Sequence, residues 1–502
     1  MKKLCLIGVL LIVASAAQAS ISPAPMRPAP TDPVTAVREK LQQAFDDAKS
    51  NDFDNAEVAF DKAIHAKAFA ALPESLRYQS LMVAGLVAKE NKKNEVAHGL
   101  LVQASTYDAA DATIWSNRLV TAYATGDNHD AAHCTAILAS RWPKAMSEIR
   151  NAAIYVLQRD LVEANDNAAD FEMLNALFDA SWTDEDGRPD FLWQDLTRLL
   201  LEKGNVTKAT TVAQHIRSAN VALSMRVDKR FDVITQRNPE AFDVDRLAAA
   251  EITAAEARVK TTQGRLGPLL HLQRLLMLTQ KYKQALAVTD GAVAAAAAGE
   301  GSKRYKDFDE KYVWLLNDRS RVLGRLGQWD EAARQMAKAA RRPEGGAMNV
   351  SQAINLGGLY ANLHQPDKAL DAISEIGNMS DFGRMQLESV KLRIAIDQKD
   401  TAGIDTHMVY LRKHHDVAIG TWQNALLLHG DFDEAAKLLI ERLRDPKWRN
   451  DAIVGMQKYA DVQESPGVKD LNERWDMIVA RPEVQAALLK VGRIEHFHVT
   501  SD

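Results

Sequence analysis

A six-residue phrase that keeps returning limits this chain more than anything else in it. It reads Gly-Gln-Trp-Asp-Glu-Ala at Gly327–Ala332 and Gly-Asp-Phe-Asp-Glu-Ala at Gly430–Ala435, with looser copies at Asn51–Ala56, Gln280–Ala285 and Gly204–Ala209. Each copy lies between segments whose apolar residues recur at three- and four-residue steps, so it marks a turn between two helices. Self-similarity at a period in the thirties or forties builds an array of stacked helical hairpins rather than one globule. An array also escapes the size limit of a single core, which 502 residues would otherwise exceed.

The second helix of each hairpin carries its own signature. Ala332, Met336 and Ala339 are four and three residues apart and share one helix face. Alanine at two of the three positions lets a neighbouring backbone come close, while the larger residue fills the space beyond. Ala56, Phe60 and Ala63 repeat the step, as do Ala97, Leu101 and Ala104. Trp329 and Phe432, at the start of second helices, are placed to cover the turn. Aromatics make up only 6% of the chain, which suits closely packed helices better than sheets.

The unit resembles the tetratricopeptide repeat, a family whose period is about 34 residues. Ala353, Leu356, Gly357, Tyr360, Ala369 and Ile373 match its pattern best; Trp193, Leu196, Leu200, Gly204 and Ala209 match it without the small residue expected between the two leucines. Anchors at Ala285, Ala332, Ala369, Ala402 and Ala435 are separated by 47, 37, 33 and 33 residues, and Ala56, Ala97 and Ala131 by 41 and 34. The expected fold is all-α, a right-handed superhelical array (α-solenoid) of antiparallel helix hairpins. Residues 34–218 form its N-terminal part, 219–266 an irregular helical connector, 267–445 its C-terminal part, and 446–502 a helical cap and tail with Phe497 packed back on the cap. The alanine run Ala294–Ala298 followed by Gly299–Gly301 reads as a helix end and an enlarged loop.

The start of the chain reads as a secretory leader: Lys2 and Lys3, an apolar stretch from Leu4 to Ala17, and a small-residue cleavage site ending at Ala19. An uncut membrane anchor is the lesser alternative, because the stretch is short for a bilayer span. Five prolines between Ser20 and Pro33 make an extended spacer. Losing the leader removes two bases and no acid, leaving 60 bases against 67 acids, a formal charge of −7. Such a balance does not favour nucleic acid. The expected location is the periplasm, with secretion as the alternative. One cysteine, Cys134, would remain; it cannot close an internal disulfide and reads as a small buried helix residue.

The search for chemistry is mostly negative. There is no His-Glu-x-x-His, no phosphate-cradling Gly-Lys-Ser or Gly-Lys-Thr, and no Gly-x-Ser-x-Gly. Asp184–Gly187 opens like a calcium loop, but Pro189 interrupts the ligand ladder and a turn is the better reading. His496 and His498 alternate in the tail, too few for a metal site. His414 and His415 sit near a helix end, where the dipole favours them. No cofactor is called for.

The family resemblance supplies a candidate groove. First helices of such arrays line the concave face and present side chains to a bound peptide. By that register the groove positions here are Arg274, Asn317, Arg321, Arg325, Asn355 and Asn362, donors of the kind that hold a carboxylate. The implied function is a non-catalytic scaffold or adaptor for protein or peptide partners of the cell envelope, without membrane insertion once the leader is gone. Two alternatives remain: the helical component of a cell-wall-processing enzyme, and a structural subunit of an envelope complex.

Overall fold

The computed structural model describes residues 32–184 and 187–500; the expected leader, its cleavage site and most of the expected spacer lie outside them. The chain divides into two compact units between Leu199 and Leu200. The first holds α1 (Pro33–Lys49), α2 (Phe53–Ile64), α3 (Glu74–Glu90), α4 (Asn94–Ala104), α5 (Ala112–Thr125), α6 (Asn128–Arg141), α7 (Asn151–Glu163) and α8 (Asn167–Asp179). Helix α9 (Asp190–Glu202) carries the chain across the division.

The second unit begins with α10 (Val206–Ala213), α11 (Ala219–Val227), α12 (Asp232–Thr235) and α13 (Val244–Thr261). Its central hairpins are α14 (Gly267–Leu278) with α15 (Tyr282–Ala297), then, after the short α16 (Gly301–Arg304), α17 (Phe308–Arg325) with α18 (Trp329–Ala340). Three more follow: α19 (Ser351–Asn362) with α20 (Pro366–Ala372), α21 (Asp381–Gln398) with α22 (Thr401–Lys413), and α23 (Ile419–His429) with α24 (Phe432–Arg444). Last come α25 (Pro446–Gly455), α26 (Pro466–Val479) and α27 (Pro482–Val491). The described residues contain no strand, only isolated bridges. The architecture is thus an all-helical array of antiparallel hairpins, in which helices pack mainly on near neighbours along the chain.

One turn geometry makes all the hairpins. Asn51, Lys92, Gly126, Asn165, Gly204, Gln280, Gly327, His364, Lys399 and Gly430 each adopt a left-handed backbone, φ between 54° and 95°. The next amide then donates to a carbonyl five residues back, as Lys93 does to Ala88, Gln328 to Leu323 and Asp431 to Leu426, all at 2.9 Å. This closes the first helix with a Schellman bond. In several turns an Asp or Asn then caps the second helix: Asp52, Asp127, Asp166, Asn205 and Asp400 each accept a backbone N–H.

The anchor lies five residues past the left-handed one. Ala56, Ala97, Ala131, Ala209, Ala285, Ala332, Ala369 and Ala435 fulfil this and are fully buried. Ala402 does not. It is exposed, because Lys399 makes the turn and brings the half-buried Ile404 to that position. Asp170 takes the same place in α8, with consequences described below.

Twelve residues before the anchor the two helices cross closely. A Cβ on Gly357 would lie 2.5 Å from Ile373, and one on Gly85 would lie 2.9 Å from Leu101, so only glycine fits there without repacking. Where a polar residue stands instead, it donates to the anchor's carbonyl: Ser320 to Ala332 at 2.7 Å and Gln423 to Ala435 at 2.8 Å. Trp329 lies against Gly324 and covers its turn, and the expected faces Ala332–Met336–Ala339, Ala56–Phe60–Ala63 and Ala97–Leu101–Ala104 are all buried.

Two stretches differ from the sequence expectation. Residues 219–266 are ordered helices of the second unit, not a connector: the buried Glu251 on α13 accepts the Ala219 N–H at the start of α11 (2.8 Å), which fixes both helices together. The stretch after the alanine run is packed as well. Gly301 lies under the Phe308 ring, and Asp307 accepts the Leu266 and Gly267 amides (2.7 and 2.9 Å), capping α14.

The closing segment does more than cover a last face. Helix α26 packs on α19, α23 and α24, α25 packs on α11, and α27 packs on α24. The tail after α27 then runs back to α11, α12, α13 and α14: Arg493 donates to Asp232, Arg226 to Glu495, His498 pairs with Asp245, and the Thr500 amide donates to the Leu278 carbonyl. Phe497 is buried, its ring tilted against Tyr459. The tail therefore touches elements near the start of the second unit.

Candidate polar ladder and slot in the second unit

Helices α14, α17 and α19 are successive first helices, so equivalent positions along them lie side by side. Four side chains there form a continuous ladder. Arg274 Nε donates to Asp318 Oδ2 (2.6 Å), Asn317 Nδ2 donates to Asp318 Oδ1 (3.0 Å), and Asn355 Nδ2 donates to Asn317 Oδ1 (2.8 Å). Asp318 and Asn317 are buried, while Arg274 and Asn355 are exposed. Each buried polar group is thereby bonded, which is what makes such a ladder rigid.

The ladder changes the reading of Arg274. Its sequence position suits a donor for an incoming carboxylate, but Asp318 already takes its charge. Asp318 follows Asn317 directly and precedes Ser320, a polar cluster inside a helix that otherwise buries leucines. That was the available signal.

The other expected residues fall in three different settings. Arg321 is exposed and pairs with no carboxylate among the described residues. Arg325 is half-buried and lies close enough to the buried Tyr282 hydroxyl to act on it electrostatically, though burial dominates and raises that phenol. Asn362 is covered: a Cβ on Gly467 would sit 3.0 Å from its Cα, because the start of α26 crosses the end of α19 there. The expected groove is therefore closed at Asn362 by the chain's own cap. The structure joins Arg274, Asn317 and Asn355 and leaves Arg321, Arg325 and Asn362 outside the ladder.

At the ladder's last rung Asn355 also lines a slot of about 440 Å³. Its walls include Trp314 on α17, Met348 and Met379 from the loops, and Phe382 and Gln386 on α21. Met348 is 60% and Phe382 57% exposed, unusual for side chains of that size. The slot exists because residues 341–350 form a loop between hairpins, held by Glu344. Its Oε2 accepts the Val350 and Ser351 amides (3.1 and 2.9 Å) and so caps α19 from outside the helix. Burial alone would raise the Glu344 carboxyl; the bonds from Ser351 and Val350 bring it below the ordinary range. An apolar slot beside a fixed carboxamide suits a peptide, whose side chain fills the slot while its backbone meets Asn355.

Other titratable groups serve the fold. On α21 the buried Glu388 meets Arg384 (2.9 Å), Lys391 (3.4 Å) and His407 of α22 (2.6 Å). Burial opposes its ionisation, but His407 and the two cations outweigh that and hold the carboxyl low. In the first unit Cys134 is buried beside Asp130 (Sγ to Oδ2, 3.6 Å), and burial with that neighbouring charge pushes its thiol far up, so it stays protonated and unreactive. Asp184 accepts the Arg188 amide and the Tyr155 hydroxyl (2.8 and 2.7 Å), a turn held by its own neighbours. His498 is turned to Asp245, away from any shared site with the exposed His496.

Fold and site together define an array of antiparallel helical hairpins, tetratricopeptide-like in architecture, carrying a polar ladder and an exposed slot. No family model matches the chain, and no curated protein does. Several solved structures align with it. One is a tetratricopeptide repeat protein from Parabacteroides merdae, 13% identical, covering 70% of this chain and 98% of its own with a TM-score of 0.26. Yeast Tom70 is 10% identical over 91% of this chain and 100% of its own (TM-score 0.29), and the P58(IPK) TPR domain 12% identical over 82% and 100% (TM-score 0.20). The fold class rests on the hairpins described above.

Proposed function

We propose that this protein is an exported, non-catalytic adaptor that holds a segment of a protein partner of the cell envelope on α17 and α19. The observation that carries the reading is the juxtaposition at Asn355. Its Nδ2 is fixed by the ladder, its Oδ1 takes no hydrogen bond from the described residues, and an exposed apolar slot opens beside it. Trp314, Asn317 and Arg321 recur at three and four residues along α17, so the unpaired Arg321 cation extends the same helix face. A partner segment with an apolar side chain and a carboxylate two helical turns away is the complement. No helix among the described residues is long and apolar enough to cross a membrane. Export rests on the leader-like start alone, and the periplasm is the compartment proposed.

The experiment is photo-crosslinking in intact cells from a reactive residue placed at Phe382, followed by affinity measurement on the purified partner. Arg321→Glu should weaken binding about tenfold, the order of one lost charge-assisted contact. Unchanged affinity for both Arg321→Glu and Asn355→Ala, or crosslinks from Phe382 to no protein, refutes this site. Release of soluble fragments from purified cell wall would move the protein to the enzymatic alternative. N-terminal sequencing of the envelope fraction, expected to begin at Ser20, tests the export.

A further inference from the structure

The last residues of the chain form an extended segment lying in a trough made by other parts of the second unit. On one side the segment after α25 pairs with it through the backbone. The Lys458 amide donates to the Glu495 carbonyl (3.1 Å), Phe497 to Lys458 (2.9 Å) and Ala460 to Val499 (3.1 Å). The Gln457 side chain adds two bonds, donating to the Arg493 carbonyl and accepting the Glu495 amide (3.0 and 2.8 Å). At the two ends the Arg493 amide donates to Val227 (3.0 Å) and the Thr500 amide to Leu278 (2.9 Å).

Side chains alternate as on a strand. Arg493, Glu495, Phe497 and Val499 face the trough: the first two pair with Asp232 and Arg226, and the last two are buried. His496 and His498 point outward and are exposed. Recognition therefore consists of main-chain hydrogen bonds, which any extended peptide can reproduce, plus four inward side chains at every second position. That is the logic of strand addition. Both charged anchors are solvent-accessible, with side chains between 23% and 34% exposed.

We propose that this trough is a docking surface for an extended protein segment, and that the tail is its resident, exchangeable occupant. The incoming segment carries the tail's own alternation: a base, an acid, an aromatic and a β-branched residue, each two apart. This surface is separate from the slot on α17 and α19 and stands or falls independently of it.

Gly492 supplies the test. A Cβ there would lie 2.7 Å from the Val227 carbonyl and 3.0 Å from Ile453, so Gly492→Val lifts the tail at its root while leaving every trough residue unchanged. The probe is a fluorescein-labelled synthetic peptide of residues 493–502, titrated into the full-length protein. Gly492→Val should bind it with one-to-one stoichiometry and at least tenfold tighter than the unaltered chain does, and the Phe497→Ala peptide should bind at least tenfold more weakly. Amide exchange at Phe497 and Thr500 accompanies the titration, and Arg493→Ala serves as a second loosened variant that adds no bulk. If both variants keep slow exchange there, the tail is a permanent strut and the proposal fails. It fails equally if exchange becomes fast and the peptide still does not bind.

Discussion

Ten residues in left-handed backbone set the hairpins, and they are not equally suited to it. Glycine adopts that conformation freely, whereas Lys92, Gln280, His364 and Lys399 do so at a cost of roughly 1 kcal/mol each. Gln280→Gly should therefore raise stability by about 0.5–1 kcal/mol in denaturant unfolding, since the turn stays the same and only the strain goes. A loss of stability would mean that the Gln280 side chain contributes something its turn geometry does not reveal. Asp170 is the opposite case. It is fully buried where other hairpins place alanine; burial and the adjoining Asp195 carboxylate push its acid up to about 9. The native state then binds a proton that the unfolded chain releases near pH 4, so stability falls as pH rises from about 4 to 9. Asp170→Asn keeps the shape and removes the titration, and its melting temperature should be flatter over that range than the parent's.

Helices begin and end where local chemistry says, with one kind of exception. Turn, cap and anchor are separated by five residues or fewer, so they appear in the sequence as a phrase, and the hairpins were legible for that reason. The register slipped at Ala402, where the left-handed Lys399 gives no glycine or asparagine to mark the turn and the anchor position holds Ile404 instead of alanine. Partnerships across longer separations were not legible. Asp318 reaches Arg274 across 44 residues, and Glu251 caps α11 from 32 residues away, so neither leaves a pattern in its own neighbourhood. Only three of the six expected groove residues came together, because the family register fixes helix faces but not what covers them. The Glu344 cap on α19 belongs to the same class. Glu344→Gln should lower stability by about 1 kcal/mol at neutral pH, as lost caps do. The parent's carboxyl is held below its ordinary value, so its contribution is present above about pH 4.5 and disappears as pH falls through the depressed value. The two proteins should thus converge in acid, which paired denaturation curves would show or deny.

On the scale of the molecule, an open array passes stress only to its neighbours. The second unit departs from that, because its tail holds α11, α12 and α13 through the Arg226–Glu495, Arg493–Asp232 and His498–Asp245 pairs. Asp232→Ala should accordingly raise amide exchange in α11, α12 and the tail together while α17 keeps its protection; an increase confined to α12 would mean that the tail and these helices are not coupled. His498 apart, the partners of these pairs are not distinctive in their local sequence, and their union had to be seen in three dimensions.

The Arg226–Glu495 contact joins residues 269 positions apart. A chain that emerges from its N-terminus can pair each hairpin as it appears, yet this contact waits until residue 495 has been made. Until then Arg226 and Asp232 lack the tail partners they hold in the finished fold, so a nascent second unit differs from the completed one at a site made hundreds of residues earlier.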